Sequence, residues 1–191
     1  MRRFVILLVL AASFPAARAA GNFAGVWTAA VCPRGVAAAP GKCAQFVLEL
    51  YQKQNKLCGA HVFATPSADM VDEAVNPSMP SVSGDVEEDT ATVSVASVRS
   101  KAPRGVEAEL KLSHGMLLWK RVDKPAGNEL IPVTAQFKRS HYKTLMAPVF
   151  AQQLAASCSM IAIPDPPPQE QPKETPQPPA NTPPPEPRTD S

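Results

Sequence analysis

The sequence is poor in the residues on which catalysis and metal chemistry usually draw. Its 191 residues include three histidines, four cysteines and only 6% aromatics. It has no Gly-x-Ser-x-Gly elbow and no glycine-rich motif opening a helix, which argues against the common hydrolase and nucleotide-binding designs. The formal net charge is +2. Arg2, Arg3 and Arg18 supply +3 before residue 20, and residues 164–191 are net −3, so the segment between is also +2. A binder of nucleic acid or other polyanions is disfavoured by so weak a charge. The apolar run Phe4 to Ala12 falls short of the roughly 20 residues a membrane-spanning helix needs, and no later run comes closer. Membrane insertion is not expected.

Several features are present in place of these. Met1-Arg2-Arg3, the apolar run and the small residues around Ala17-Arg18-Ala19 together read as a secretory signal over 1–19, cleaved after Ala19. The expected location is periplasmic or secreted. All four cysteines, Cys32, Cys43, Cys58 and Cys158, follow that segment. An even count in an oxidising compartment reads as two disulfides. Zinc sites use paired ligands two to four residues apart. These cysteines are 11, 15 and 100 residues apart and the histidines are scattered, so no metal or other cofactor is expected.

The middle of the chain alternates at period two. Thr90 to Ala96 places apolar residues at odd positions, and Val106 to Leu112 places them at even positions with charges between. Such runs are half-buried antiparallel strands. Phe46 to Leu50, Ala24 to Val31, Leu57 to Ala64, Ser81 to Glu87, Met116 to Val122 and Ile131 to Lys138 are further strands, eight in all. Short polar connectors suit hairpins between sequential neighbours. The expected fold is all-β: an eight-stranded antiparallel up-and-down barrel over 20–138, since closure removes exposed edges. A two-sheet sandwich is the alternative. In the longer connection after Thr65, Ser67 to Ala74 is expected to form a short helix capped by Ser67. Residues 139–163 pack on the barrel, with a short helix over Val149 to Ala156. Residues 164–191 hold 12 of the 22 prolines and read as a disordered Pro-rich tail.

Strand direction pairs the cysteines. If the first strand runs up, Cys32 ends it at the top and Cys43 opens the second strand there. Cys58 then starts the third strand at the bottom, where the eighth strand delivers the segment carrying Cys158. Bridges 32–43 and 58–158 are the pairing that joins cysteines end by end.

Phe23-Ala24-Gly25-Val26-Trp27 contains a Gly-x-Trp that resembles the first strand of lipocalin-like and avidin-like barrels, where the Trp closes one barrel end. The order of elements is similar to small secreted bacterial β-barrel proteins of unassigned role, over residues 22 to 138. The same entry also resembles secreted bacterial inhibitors of metalloproteases, eight-stranded barrels that are shorter and carry one disulfide. No ligand-contact residue of these families matches position by position.

Four residues are candidate ligand contacts: Trp27, His61, Arg99 and Trp119. The tryptophans either line a pocket or plug the core. His61 shares the parity of Phe63, so if Phe63 faces in, His61 does too, either to hydrogen-bond a ligand or as a satisfied core histidine. Arg99, with Lys101 and Arg104, either attracts an anion at a barrel mouth or lies solvated in a loop. Glu107 and Glu109 face solvent by alternation, so they are not a glycosidase pair. The expectation is a non-enzymatic protein that binds a small apolar or amphipathic ligand in the barrel, or an envelope protein on its surface. The alternative is an inhibitor of a secreted protease or lysozyme, acting through a rigid loop at Pro33 to Lys42. The sequence does not fix the oligomeric state.

Overall fold

The computed structural model describes residues 20–73, 79–99, 105–124, 130–144 and 146–161. The expected leader at 1–19 and tail at 164–191 lie outside the described residues, as do Lys101 and Arg104. Nine strands and one helix follow in chain order: β1 (Gly25–Val31), β2 (Ala44–Lys53), β3 (Lys56–Ala64), β4 (Val71–Glu73), β5 (Val82–Glu87), β6 (Thr90–Val95), β7 (Val106–Ser113), β8 (Met116–Arg121), β9 (Thr134–Arg139) and α1 (Pro148–Ile161). Every pairing is antiparallel. The strands run β1-β2-β3-β5-β6-β7-β8-β9, and β9 returns to β1. The sheet is therefore a closed eight-stranded barrel, not a sandwich. This is the architecture of lipocalin- and avidin-type proteins.

Alternation sorts the side chains as the sequence requires. Phe46, Leu48 and Leu50 of β2, Val93 and Val95 of β6, and Ala108 and Leu110 of β7 belong to one buried core. Their neighbours Gln45, Thr92 and Glu109 are not buried. The hairpins at the lower end are two residues long, and Gln54, Glu88 and His114 open them with positive φ. His114-Gly115 has positive φ at both residues, as a type I′ turn demands. Gly59 and Gly84 occupy inward positions on β3 and β5. A Cβ there would run into the carbonyl oxygens of Glu49 and Thr92, so the missing side chains let neighbouring strands pass close together.

One expected element is different. Ser67 to Glu73 does not form a helix, and Ala74 lies outside the described residues. Residues Pro66 to Met70 make a turn, in which Thr65 and Met70 are hydrogen-bonded main chain to main chain. Val71–Glu73 then runs as β4 against Val62–Ala64, the upper half of β3. β5 pairs with the lower half of β3, Lys56 to Gly59. Folding back as a hairpin on the strand just before it outweighs the helix preference of a segment too short to be a stable helix.

Both disulfides have the expected connectivity, Cys32–Cys43 and Cys58–Cys158. The first pins the connection 33–42 at the upper end. The second ties α1 to the outside of β3. There Leu154 and the bridged sulfurs pack with Ala60, Tyr51 and Met146 in a second apolar cluster.

Candidate functional site

The barrel lumen is filled. Phe46 touches three aromatic rings, with Phe63, Trp119 and Phe137 at 5.7, 5.2 and 5.0 Å between centroids. Edge contacts of this kind are favourable beyond the area they bury. Trp119 belongs to this stack, and its Nε1–H donates to the Pro132 carbonyl at 2.8 Å. Above it Arg121 also points inward. Its side chain is 1% exposed and its guanidinium forks onto Asp123, Nε to Oδ1 at 2.9 Å and Nη2 to Oδ2 at 2.5 Å. That ion pair holds the Asp123 carboxyl below the usual carboxylate range.

Trp27 stands at the lower end. Its Nε1–H donates to the Phe23 carbonyl at 2.8 Å, and Phe23 is fully buried beneath the barrel. The Arg139 guanidinium lies over the Trp27 ring, 4.4 Å from the centroid. It donates to the Ala24 and Asn22 carbonyls at 2.6 and 2.8 Å. One cation thus binds the last strand to the entering chain. Sequence reading ended the last strand at Lys138 and missed Arg139. A signal existed, because Arg139 shares the inward parity of Phe137.

His61 and Arg99 converge on a third cluster at the upper wall. His61 faces inward with Phe63 and is 1% exposed. Its main-chain N–H donates to Ser81 Oγ at 3.0 Å, and its Nδ1 lies 2.8 Å from the same oxygen. Nε2 faces a carboxylate oxygen, Asp72 Oδ1 at 3.6 Å, which favours a proton on that nitrogen and leaves Nδ1 to accept from the Ser81 hydroxyl. Asp72 is fully buried, and Ser97 Oγ donates to its Oδ2 at 2.5 Å. Arg99 closes the chain: its N–H donates to Ser97 Oγ and its Nε to the Val71 carbonyl at 3.2 Å. Burial pushes the Asp72 pKa up, but the His61 ring and the Ser97 hydroxyl together outweigh this and hold it below the ordinary 3.8.

Serine, histidine and aspartate are also the elements of nucleophilic catalysis. Here all three side chains are shut from solvent, and Ser81 uses its oxygen to accept the His61 main-chain N–H. Chemically the cluster is a tie that staples β4 and the 96–99 turn to the barrel wall. Asp72 and Ser81 could not be read as its partners from sequence, since they lie 11 and 20 residues from His61, Asp72 in the segment expected to be helical and Ser81 at the first position of an expected strand.

Glu49 is a second buried carboxylate. It points outward from β2, yet it is 4% exposed. Tyr51 and Thr144 donate to its two oxygens, each at 2.9 Å. The segment after β9 covers it. Burial, followed by the bond to Glu49, pushes the Tyr51 phenol up to about 12.

Two surface cavities lie on the outer wall. One of about 490 Å³ is lined by Ser83, Asp85, Thr92 and Ser94. Another of about 560 Å³ lies between β1 and β9 beside Trp119. The four candidate residues occupy three places: Trp27 at the base, Trp119 in the central stack, and His61 with Arg99 in the upper cluster. Among the described residues, no group of three or more His, Cys, Asp or Glu gathers to hold a metal, and no helix is long and apolar enough to cross a membrane. No family model, no curated protein and no solved structure matches this chain.

Proposed function

We propose that the chain is a non-enzymatic binding protein of the periplasm or the secreted space, engaging an envelope component through the outside of its barrel. The observation that carries this reading is the filled lumen. Trp27, Phe46, Trp119 and Phe137 are each at most 2% exposed, and they occupy the space where an apolar ligand would sit. Ligand sites are concave and open to their ligand, and in this barrel two surface cavities lie on the outer wall. The two disulfides fit an oxidising compartment. Native mass spectrometry of protein purified from its own host is expected to give the bare polypeptide mass with both bridges intact. A stoichiometric small-molecule adduct that survives gentle desolvation would overturn the reading.

The connection 33–42 favours a second reading, inhibition of a secreted protease or lysozyme. All ten of its residues are exposed, and Cys32–Cys43 holds both ends. Val36 N–H bonds to the Pro33 carbonyl and Gly35 has φ +82°, which makes a tight turn with Arg34 at its tip. A panel of secreted proteases and lysozymes tests this, and a lack of inhibition across the panel would remove it.

A further inference from the structure

The barrel wall contains a break. β1 and β9 form its closing pair, and their ladder is two residues long: Trp27 opposite Arg139 and Thr28 opposite Lys138. The other neighbouring pairs around the barrel run for four residues or more.

Parity fixes where the main chain points beyond that ladder. The Ser140 N–H donates to the Val26 carbonyl, so Val26, Thr28 and Ala30 turn their main-chain groups toward β9. On the opposite edge, the Arg121 N–H donates to the Val133 carbonyl, so alternate residues Val133, Ala135 and Phe137 face β8. Thr134, Gln136 and Lys138 therefore face β1. The next rung would join Ala30 and Gln136, and it is not made. A cavity of about 560 Å³ opens there, lined by Ala30 and Val31 on one edge, Thr134 and Gln136 on the other, and Leu118 and Trp119 beside them.

We propose that this seam binds an extended, acidic segment of a partner polypeptide, which adds as a strand to the Ala30 and Gln136 edges. The inference rests on the reading that the outer wall is the binding surface. Alternating N–H and C=O groups at strand spacing are complemented by another extended main chain. A small apolar ligand would leave them unpaired at a cost. The sign of the partner follows from the outward side chains of the three adjoining strands. They are Val26, Thr28 and Ala30 on β1, Met116, Leu118 and Lys120 on β8, and Thr134, Gln136 and Lys138 on β9. Both charged residues are exposed lysines, and no acid is among the nine. Residues 164–191 of this chain are acidic but suit the seam poorly, because 12 of the 28 are prolines and proline cannot donate to a ladder.

The test uses the oxidised, full-length protein labelled for amide NMR, with acetyl-Glu-Val-Thr-Val-Glu-Val-Glu-amide as the probe. Without peptide, the Ala30 and Gln136 amides should exchange at least about ten-fold faster than those of Thr28 and Lys138. With peptide to about 1 mM, saturable shifts should map to Ala30, Thr134, Gln136 and the Trp119 indole. The same peptide with alternate amides N-methylated should give none. Lys120→Glu with Lys138→Glu should weaken binding by about ten-fold while the fold stays intact, since both side chains are exposed. Ala30→Pro removes an edge donor where proline is tolerated and should abolish the shifts. Should it fail to fold, the charge-reversed protein and the methylated peptide carry the test. Protection of Ala30 and Gln136 in the free monomer would overturn the proposal, as would shifts that map elsewhere, survive N-methylation or never saturate. A dimer that protects those two amides would assign the seam to a second copy and equally overturn it. None of these failures touches the broader reading, which falls instead with a small molecule retained in the lumen.

Discussion

The two disulfides should differ in what they contribute, and the difference can be worked from the loops they close. Cys32–Cys43 spans 11 residues and Cys58–Cys158 spans 100. Restricting the unfolded chain by loops of these sizes is worth about 2.8 and about 4.7 kcal/mol at 25 °C. Alanine replaces the cysteines best, because Cys43, Cys58 and Cys158 are buried and a serine hydroxyl there would lack a partner. The second pair also holds α1 in place, so its loss can release Leu154, fully buried at the centre of that contact. Exposing one leucine costs a further ~1.5–3 kcal/mol. In urea, with a slope of about 1.5 kcal/mol/M for a domain of this size, the midpoint should fall by about 2 M for Cys32→Ala/Cys43→Ala and by at least about 3 M for Cys58→Ala/Cys158→Ala. Removing both bridges should leave little or no folded protein, since a domain's whole stability is about 5–15 kcal/mol. Equal midpoints, or a smaller loss for the 58–158 variant, would refute both the loop argument and the role assigned to α1.

Three further outcomes follow from the buried groups. Tyr51 should titrate near pH 12 by absorbance at 295 nm in Tyr142→Phe, which leaves it the one tyrosine. Because its folded pKa is raised from 10.0 to about 12, the stability it confers is complete below pH 10 and is lost as the pH rises toward 12; a midpoint near 10 would contradict the burial of Glu49 and Tyr51. Asp72→Ala should cost about 1–3 kcal/mol, because it takes away the carboxylate that the buried His61 ring faces and the acceptor of the Ser97 hydroxyl. The depressed Asp72 pKa adds stability that is present above pH 3.8 and vanishes as the pH falls through the lower folded value, so Asp72→Asn should show a shallower acid limb than the wild type in denaturant melts at low pH. Arg139→Ala should cost about 1–2 kcal/mol through two lost carbonyl contacts and the ring contact, with a red shift of Trp27 fluorescence; unchanged emission would mean that the base stays closed without it.

What the sequence revealed depended on the range of the interaction. Thr90 to Ala96 and Val106 to Leu112 are written in period-two alternation with one wet and one dry face, so local pattern was enough there, whereas the outer face of β3 is dry because α1 covers it. The cysteine pairing followed from strand direction alone. β4 was not legible, because Val71-Asp72-Glu73 is too short to show a period and Ser67 to Ala74 also carries helix-start chemistry. What decides its conformation is Asp72, which has value only once His61 and Ser97 surround it. The burial of Glu49 was not legible for a similar reason. Alternation correctly turned it outward, but a segment about 95 residues later covered it. The unpaired rung at Ala30 and Gln136 is a matter of register between the first and last strands, and no window along the chain contains both.

The closure at the base also sets an order in time. Arg139 reaches carbonyls 115 and 117 residues earlier in the chain. A chain made or delivered from its N-terminus therefore presents Phe23 and Trp27 long before the cation that covers them exists. Until β9 arrives, two of the largest core side chains lack their lid, and β1 can pair only with β2. Assembly must wait for the last strand, as contacts of such long sequence separation form slowly. Through that interval the opening strand is the part of the chain most exposed to wrong pairing, and a holding factor acting during folding would find its target there.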